Sequence, residues 1–377
     1  MKHVLLAVFL IGIAAYGKTL TVGVAMRSDD KFNLTVTRLV EGIETAKEVF
    51  ERRHPETKII LHKFGHGSDI ESVLLVADKM IAAKIPAVIG GEFSDEALAF
   101  GDRLSQKKIV LVSHTATNPR VTENPYVFRV CFEDTLVGDQ LASFVIDKLK
   151  PQAIGILRNI SSPYSSYLSK HFSEAVVSIA KQTHRTAPTI LTEDVLKNTT
   201  DFSEQIELFK KANVTHVALF TLDTDLIRFL VQAEKKKFFP TYIGSDGWGS
   251  NQYALDKLVK ESPVGPRFSG YRAYFWNEQS QNSMSKLFRQ AYHEKYGVAP
   301  NAWNAVGFDA AWVLFSAMKK AKNPSDGELI QKELKALKNI PLVTSDSFTF
   351  NGNHSPTHSK VFIYRIDKQG ISLEAAL

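Results

Sequence analysis

Short β-branched runs alternate with segments whose apolar residues recur every three or four positions, and the alternation runs through most of the chain. "TLTVGVA" (19–25) reads as a buried strand, followed by Leu39, Val40, Ile43, Ala46, Val49 and Phe50 at helical spacing. "KIILHKF" is the next strand, and Ser68 and Glu71 have capping-box spacing ahead of Ile70, Val73, Leu74, Ala77 and Ile81. "PAVIGG" (86–91) predicts a third strand, Ser94 caps a helix over "DEALAFGDRLSQ", and "KIVLVS" (108–113) is a fourth strand.

The pattern then restarts. "AIGILRN" (153–159) leads to a helix from about Tyr164, a strand near "TILT", and a helix opened by Asp201 and Glu204. "VTHVALF" (214–220), "LIRFLVQAEKKK" and "TYIGS" (241–245) continue it. Strands separated by helices predict parallel sheets, and two such halves at this length need two sheets and two cores. Three later helices, "SMSKLFRQAYHEKYG", "AWNAVGFDAAWVLFSAMKKA" and "DGELIQKELKALK", precede "SFTF" and "SKVFIYRI", which read as strands joined across Asn351-Gly352, a hairpin-type dipeptide.

The first residues break this pattern. Lys2 and His3, the apolar run Val4–Ile13 and the small-spaced Ala15-Tyr16-Gly17 have the parts of a secretory signal peptide, with a mature chain beginning near Lys18. The run is too short to span a bilayer. The expected location is therefore periplasmic or otherwise extracytoplasmic. The chain's one cysteine, Cys131, is expected to be a buried apolar thiol, because it has no partner for an internal disulfide. Five N-x-S/T sequons, at Asn33, Asn159, Asn198, Asn213 and Asn353, read mostly as chance.

Composition adds little further. The formal net charge of +6 falls to +5 once Lys2 is removed, and the basic residues share their faces with acids, which excludes a nucleic-acid stripe. Enzyme motifs are weak. Ser283-x-x-Lys286 lies on an expected helix without partner motifs, and there is no G-x-S-x-G. The pairs His62/His66 and His354/His358 fall off helices, so no metal is expected, and no cofactor. His114 is expected at the cleft edge, where a hydrogen-bonded structural role competes with titration near neutral pH.

The strand exits carry the chemistry, since ligands of open α/β sheets sit beyond the carboxyl ends of strands. They read Arg27-Ser28-Asp29-Asp30, Glu92-Phe93-Ser94, Ser113 to Thr117, Tyr164-Ser165-Ser166, Asp223-Thr224 and Asp246. Hydroxyls and free N–H groups at helix starts suit a carboxylate, and acids at other exits suit an ammonium. A zwitterion such as an amino acid uses both. By position alone Asp246 is either a helix cap or a ligand group.

"GGEFSDEALAFGDRLSQKKIVLVSHTATNP", "FRVCFEDTLVGDQLASFV" and "FLVQAEKKKFFPTYIGSDGWGS", with the stretch from Tyr296 to Ala310, resemble the type I periplasmic substrate-binding proteins of ABC importers, in particular the leucine/isoleucine/valine-binding group. The resemblance covers nearly all of the mature chain. It implies an α/β fold of two Rossmann-like lobes with parallel central sheets, joined by a three-crossover hinge near 131–137, 266–272 and 340–346. After a signal peptide at 1–17, the first lobe is expected at 18–134 plus 269–340 and the second at 135–268 plus 341–377. It further implies that Ser94, Thr115 and Thr117 hold a ligand carboxylate, that Asp246 holds an ammonium and that Tyr164 covers the ligand. The expected protein is a monomer without catalysis that binds an amino acid-like small molecule and meets the membrane permease of an importer. A sensory binding protein and a receptor-type ectodomain of the same fold are the alternatives.

The sequence departs from that group at Glu92, at Asp29-Asp30, and at Leu222 beside Asp223, where an aromatic residue is common. An unpaired carboxylate inside a closed cleft is costly. Glu92 is therefore expected either to turn toward solvent, to pair with Arg27 or to meet a cationic ligand. Trp248 is expected as pocket wall or as surface packing.

Overall fold

The computed structural model describes residues 17–28, 33–249 and 267–377. The rest of the expected signal peptide and Asp29-Asp30 lie outside these.

Two sheets form. The first is wholly parallel, in the order β2 (Thr57–His66), β1 (Lys18–Arg27), β3 (Ala87–Ile89), β4 (Val110–Ser113), β5 (Val127–Arg129). The second contains β6 (Ala153–Asn159), β7 (Thr189–Val195), β8 (His216–Leu219), β9 (Thr241–Gly244), β10 (Ser269–Tyr274), β11 (Phe362–Asp367) and β12 (Gly370–Ala376). Its order is β12-β11-β10-β9-β8-β6-β7, parallel from β7 to β10 and antiparallel across β11 and β12. The strand order reverses between β1 and β3 in one sheet and between β6 and β8 in the other. Those are the crevices where an open α/β sheet offers backbone donors to a ligand.

Continuous β-branched runs make the central strands because both faces are covered: Val22, Val88, Ile89, Leu111 and Val112 are wholly buried. The late helix Ala302–Lys320 is buried almost throughout and lies against the helix Asn33–Arg53. Two glycines permit this. A Cβ on Gly42 would lie 2.0 Å from the carbonyl oxygen of Asn304, and one on Gly307 would lie 2.3 Å from that of Leu39. The helix backbones approach too closely for any side chain at either point.

Several expectations are corrected here. β10, placed by sequence in the first half, hydrogen-bonds to β9 and β11 in the second sheet. The second crossover therefore follows Tyr274 instead of falling near 266–272, where residue 266 also lies outside the described residues. The chain does turn across Asn351-Gly352, where Phe350 bridges Pro356 and the amide of Asn351 donates to the carbonyl of Ser355 at 2.7 Å, but the two expected strands do not pair there. "SKVFIYRI" instead supplies β11, which pairs with β10 and, in the terminal hairpin turned at Gly370 with φ +120°, with β12. The amide of Arg129 donates to the carbonyl of His354 at 3.0 Å and ties the turn to β5.

Helix starts differ in detail. Asp69, not Ser68, caps the helix Ile70–Ala82, accepting from the amide of Ser72 at 2.8 Å. Phe93 is the cap position of the helix Ser94–Ser105, so Ser94 is its first residue. Asp201 accepts from the Ser203 amide at 2.9 Å without a reciprocal bond from Glu204.

Candidate functional site

A cavity of about 190 Å³ opens between the two lobes, at the strand ends named above. Arg27, Ser68, Phe93, Ser94 and Asp95 line it from the first lobe. Tyr164, Lys197, Phe220, Thr221, Leu222 and Arg228 are among those lining it from the second. The lobes also touch directly: the side-chain amide of Asn118 donates to the carbonyl of Pro163 at 2.8 Å.

Of the expected residues, Ser94 and Tyr164 stand on the cavity wall. Ser94 opens the helix Ser94–Ser105, whose first-turn amides have no intrahelical acceptor. Its hydroxyl oxygen accepts from the amide of Asn118 at 3.3 Å, which leaves its own proton free for a ligand. Tyr164 follows β6 in the first turn of the helix Pro163–Gln182, capped by Ser162. Its hydroxyl is buried without a hydrogen-bond partner among the described residues. That hydroxyl rests over Gly247, where a Cβ would lie 3.3 Å from it.

Asp246 sits behind this wall. Only 5% exposed, it accepts from the hydroxyl of Ser245 at 2.8 Å, and burial pushes its carboxyl up to about 6. A second carboxylate, which the sequence reading missed, faces the same region. Asp134 is wholly buried at the start of the helix Asp134–Phe144, and neither of its oxygens has a hydrogen-bond partner among the described residues. Burial first, and then the charge of Asp246, hold it well above the ordinary carboxylate range. The Tyr164 hydroxyl is pushed up by burial and by both carboxylates. Thr221, at the exit of β8, adds another buried hydroxyl without a partner. Orphaned buried acceptors of this kind are costly unless something binds them. Asp134 had a signal in the sequence, as an acid inside "VCFEDTLV" at the first crossover.

Three expected ligand residues are displaced from the wall. The Thr115 hydroxyl is already used, donating to the carbonyl of Glu92 at 2.7 Å. Thr117 is buried, and its carbonyl accepts from the amide of Asp134 at 2.9 Å. Glu92 neither faces solvent nor lines the cavity. It is 3% exposed, accepts from the backbone amide of Arg27 at 3.2 Å, and faces Nε2 of His66 at 3.7 Å. The Arg27 guanidinium goes instead to Glu96, at 2.8 Å. Asp223 opens the helix Asp223–Lys235, but its side chain lies outside the described residues.

His66, Glu92 and Glu96 bring three ligand-type atoms within 4.8 Å of one another. Arg27 already supplies the cation there, so the residues present fit a charge-balanced network better than a metal. Burial outweighed by Glu92 leaves His66 raised, and Glu92 is held down at about 2 with His66 as the leading favourable partner against its burial. Glu96 is pushed well above its ordinary range by burial and by the charge of Glu92. His114 is buried beside Thr115 and is lowered by burial to about 4, so it stays neutral near pH 7. Trp248 is neither wall nor surface: it is wholly buried, and its indole donates to the carbonyl of Leu219 at 2.8 Å. Cys131 is buried, and burial pushes its thiol up.

Among the described residues no helix is long and apolar enough to cross a membrane. The leucine-specific-binding protein of Salmonella typhimurium strain LT2 is 23% identical over 283 residues, 74% of this chain and 72% of that protein. Among solved structures, the leucine-binding protein LivK of Thermotoga maritima superposes with a TM-score of 0.82 at 21% identity, covering 96% of this chain and 98% of that one. LivJ of Streptococcus pneumoniae, a branched-chain amino acid transporter substrate-binding protein solved with isoleucine, gives 0.81 at 19%, covering 95% and 99%. Identities this low carry the type I two-lobed fold and leave the ligand to be argued from this chain's own residues. The family model for periplasmic binding proteins matches residues 20–370, and the chain belongs to that family.

Proposed function

We propose that this protein encloses an amino acid between its lobes and delivers it to the membrane permease of an ABC importer, after export by a cleaved signal peptide. One observation carries the reading: Asp134, Tyr164 and Asp246 gather buried polar atoms beside an interlobe cavity, with two carboxylates and no cation among them. An ammonium placed there would satisfy both acids. The Ser94 hydroxyl and the first-turn amides of its helix would take the ligand carboxylate across the cleft. Tyr164 would cover the ligand from the second lobe, and Thr221 would accept or donate at its edge. The reading needs no catalytic step.

The relatives support amino acid binding at the level of the family. The test is a thermal-shift and calorimetric screen of the twenty amino acids on protein unfolded and refolded to strip any carried ligand. Saturable binding of at least one amino acid is expected, lost in Asp246→Ala. No binding by any of them, or binding indifferent to Asp246, would overturn it.

A further inference from the structure

Two side chains reach from one lobe to the other, and they differ in their surroundings. Nζ of Lys197 lies 3.3 Å from the carbonyl oxygen of Ser68, but this contact is exposed, and water competes for both groups. Asn118 crosses where solvent is shut out. It is 3% exposed, and its Nδ2 donates to the carbonyl of Pro163 at 2.8 Å. Its other three polar groups are engaged within the first lobe. The backbone N–H donates to Oγ of Ser94 at 3.3 Å, Oδ1 accepts from the amide of Arg120 at 3.0 Å, and the carbonyl accepts from Nη1 of Arg129 at 2.8 Å. Arg129 is wholly buried and continues through Nη2 to Glu133 at 2.7 Å and to the hydroxyl of Ser355 at 2.6 Å. Glu133 stands between β5 and the helix Asp134–Phe144, where the chain leaves the first sheet. One buried residue therefore holds the hydroxyl on the cavity wall, the facing lobe and the arginine that anchors the crossover.

We propose that Asn118 is the latch that couples occupation of the seat at Ser94 to closure of the lobes. This rests on the reading above, in which an amino acid is enclosed there. Asn118 stands behind the wall that Ser94 forms, so it acts as a positioning residue and needs no contact with the ligand. Pro163 is the first residue of the helix that carries Tyr164, and a bond to its carbonyl sets how near Tyr164 comes to Ser94. Parting the lobes breaks that bond and returns both groups to water. The bond thus contributes to the closed form alone, and a contact made in one of two states shifts the balance between them. Its loss appears chiefly in how fast the closed form lets go.

The experiment uses the full mature chain, unfolded and refolded, with whichever of the twenty L-amino acids binds the wild type most tightly. Asn118→Asp keeps the oxygen that accepts from Arg120 and turns the donor facing Pro163 into an acceptor. Asn118→Ser also keeps a capping oxygen but is too short to cross. Calorimetry and stopped-flow mixing should show affinity about tenfold lower in Asn118→Asp and about threefold to tenfold lower in Asn118→Ser, the worth of one shielded neutral hydrogen bond. Faster dissociation should carry the loss, with association within about twofold of wild type. The melting temperature without amino acid should stay close to that of the wild type, since the open form lacks the bond. Affinity within about twofold of wild type in both variants would overturn the latch and leave amino acid binding standing. So would a melting temperature that falls as far without amino acid as with it, because Asn118 would then serve only the fold of the first lobe. Binding of none of the twenty by the wild type would sink both.

Discussion

Thr344 gives both its backbone N–H and its hydroxyl to one oxygen of Asp309, at 2.9 and 2.7 Å. The other oxygen of Asp309 takes the amide of Val343 at 2.7 Å. A wholly buried carboxylate on the helix Ala302–Lys320 thereby fixes the chain where it returns toward the second sheet. Asp309→Ala leaves two buried amides without acceptors, and the expected loss is about 3 kcal/mol of unfolding free energy. Denaturant titration measures it; a loss below about 0.5 kcal/mol would show that water or a neighbour replaces the carboxylate.

Asp246→Asn separates the two tasks of that carboxylate. Its pKa of about 6 stands above the ordinary value of 3.8, so ionising it costs stability in the empty protein. The amide should stabilise the unliganded form by up to about 3 kcal/mol at pH 7.5, from the size of the shift. It should also weaken ligand binding. A variant that loses both stability and affinity would contradict this assignment.

The pH dependence follows with a definite sign. Asp246 and Asp309, at about 6 and about 7, both bind protons more tightly folded than unfolded. Their contribution to stability therefore falls as pH rises from 4 toward 7, and the unliganded protein should melt higher at pH 5.5 than at pH 7.5 through these groups. Ligand affinity should move the other way. An ammonium needs ionised Asp246, so binding near pH 6 should release about half a proton, read by calorimetry in buffers of different ionisation enthalpy. Proton uptake on binding would reverse the assignment.

Glu92→Gln tests the network behind the first-lobe wall. With a folded pKa near 2, Glu92 contributes stability above about pH 4.5 that is lost as pH falls toward 2. His66, raised, contributes below its unfolded value and loses that as pH rises through its folded value. Removing one partner of a buried ionic network should cost about 3 kcal/mol at pH 6. Thermal melts across pH 5 to 8 check it, and an unchanged melting temperature would mean that Glu96 takes over the role.

Much of this was legible in the sequence. Val22, Val88, Leu111 and Ile154 announce buried parallel strands because their environments are apolar on both sides, a condition that composition reports directly. Ser94, Tyr164 and Asp246 stand out in the sequence as polar residues at strand exits, and the first two line the cavity there. What was not legible depends on pairing across long separations. Nothing local to β10 says which sheet it joins, and its assignment is decided by neighbours on β9 and β11. The Asn351-Gly352 turn forms, but the strand after it pairs with β10 and β12 and not with the segment before the turn. Glu92 leaves solvent, Arg27 and a cationic ligand open as partners in the sequence because nothing local reveals His66 beside it, and Asp134 gives no sign because its orphaned oxygens are visible only in three dimensions.

The close crossing at Gly42 and Gly307 also sets an order of events during synthesis. The first strands leave the ribosome some 250 residues before the helix that shields them, and that helix is the partner of the earliest one made. Until it arrives, the amino-terminal sheet has one apolar flank without its native cover. The nascent chain must therefore stay unfolded or lean on a chaperone until nearly all of it exists, a delay expected of contacts so distant in sequence.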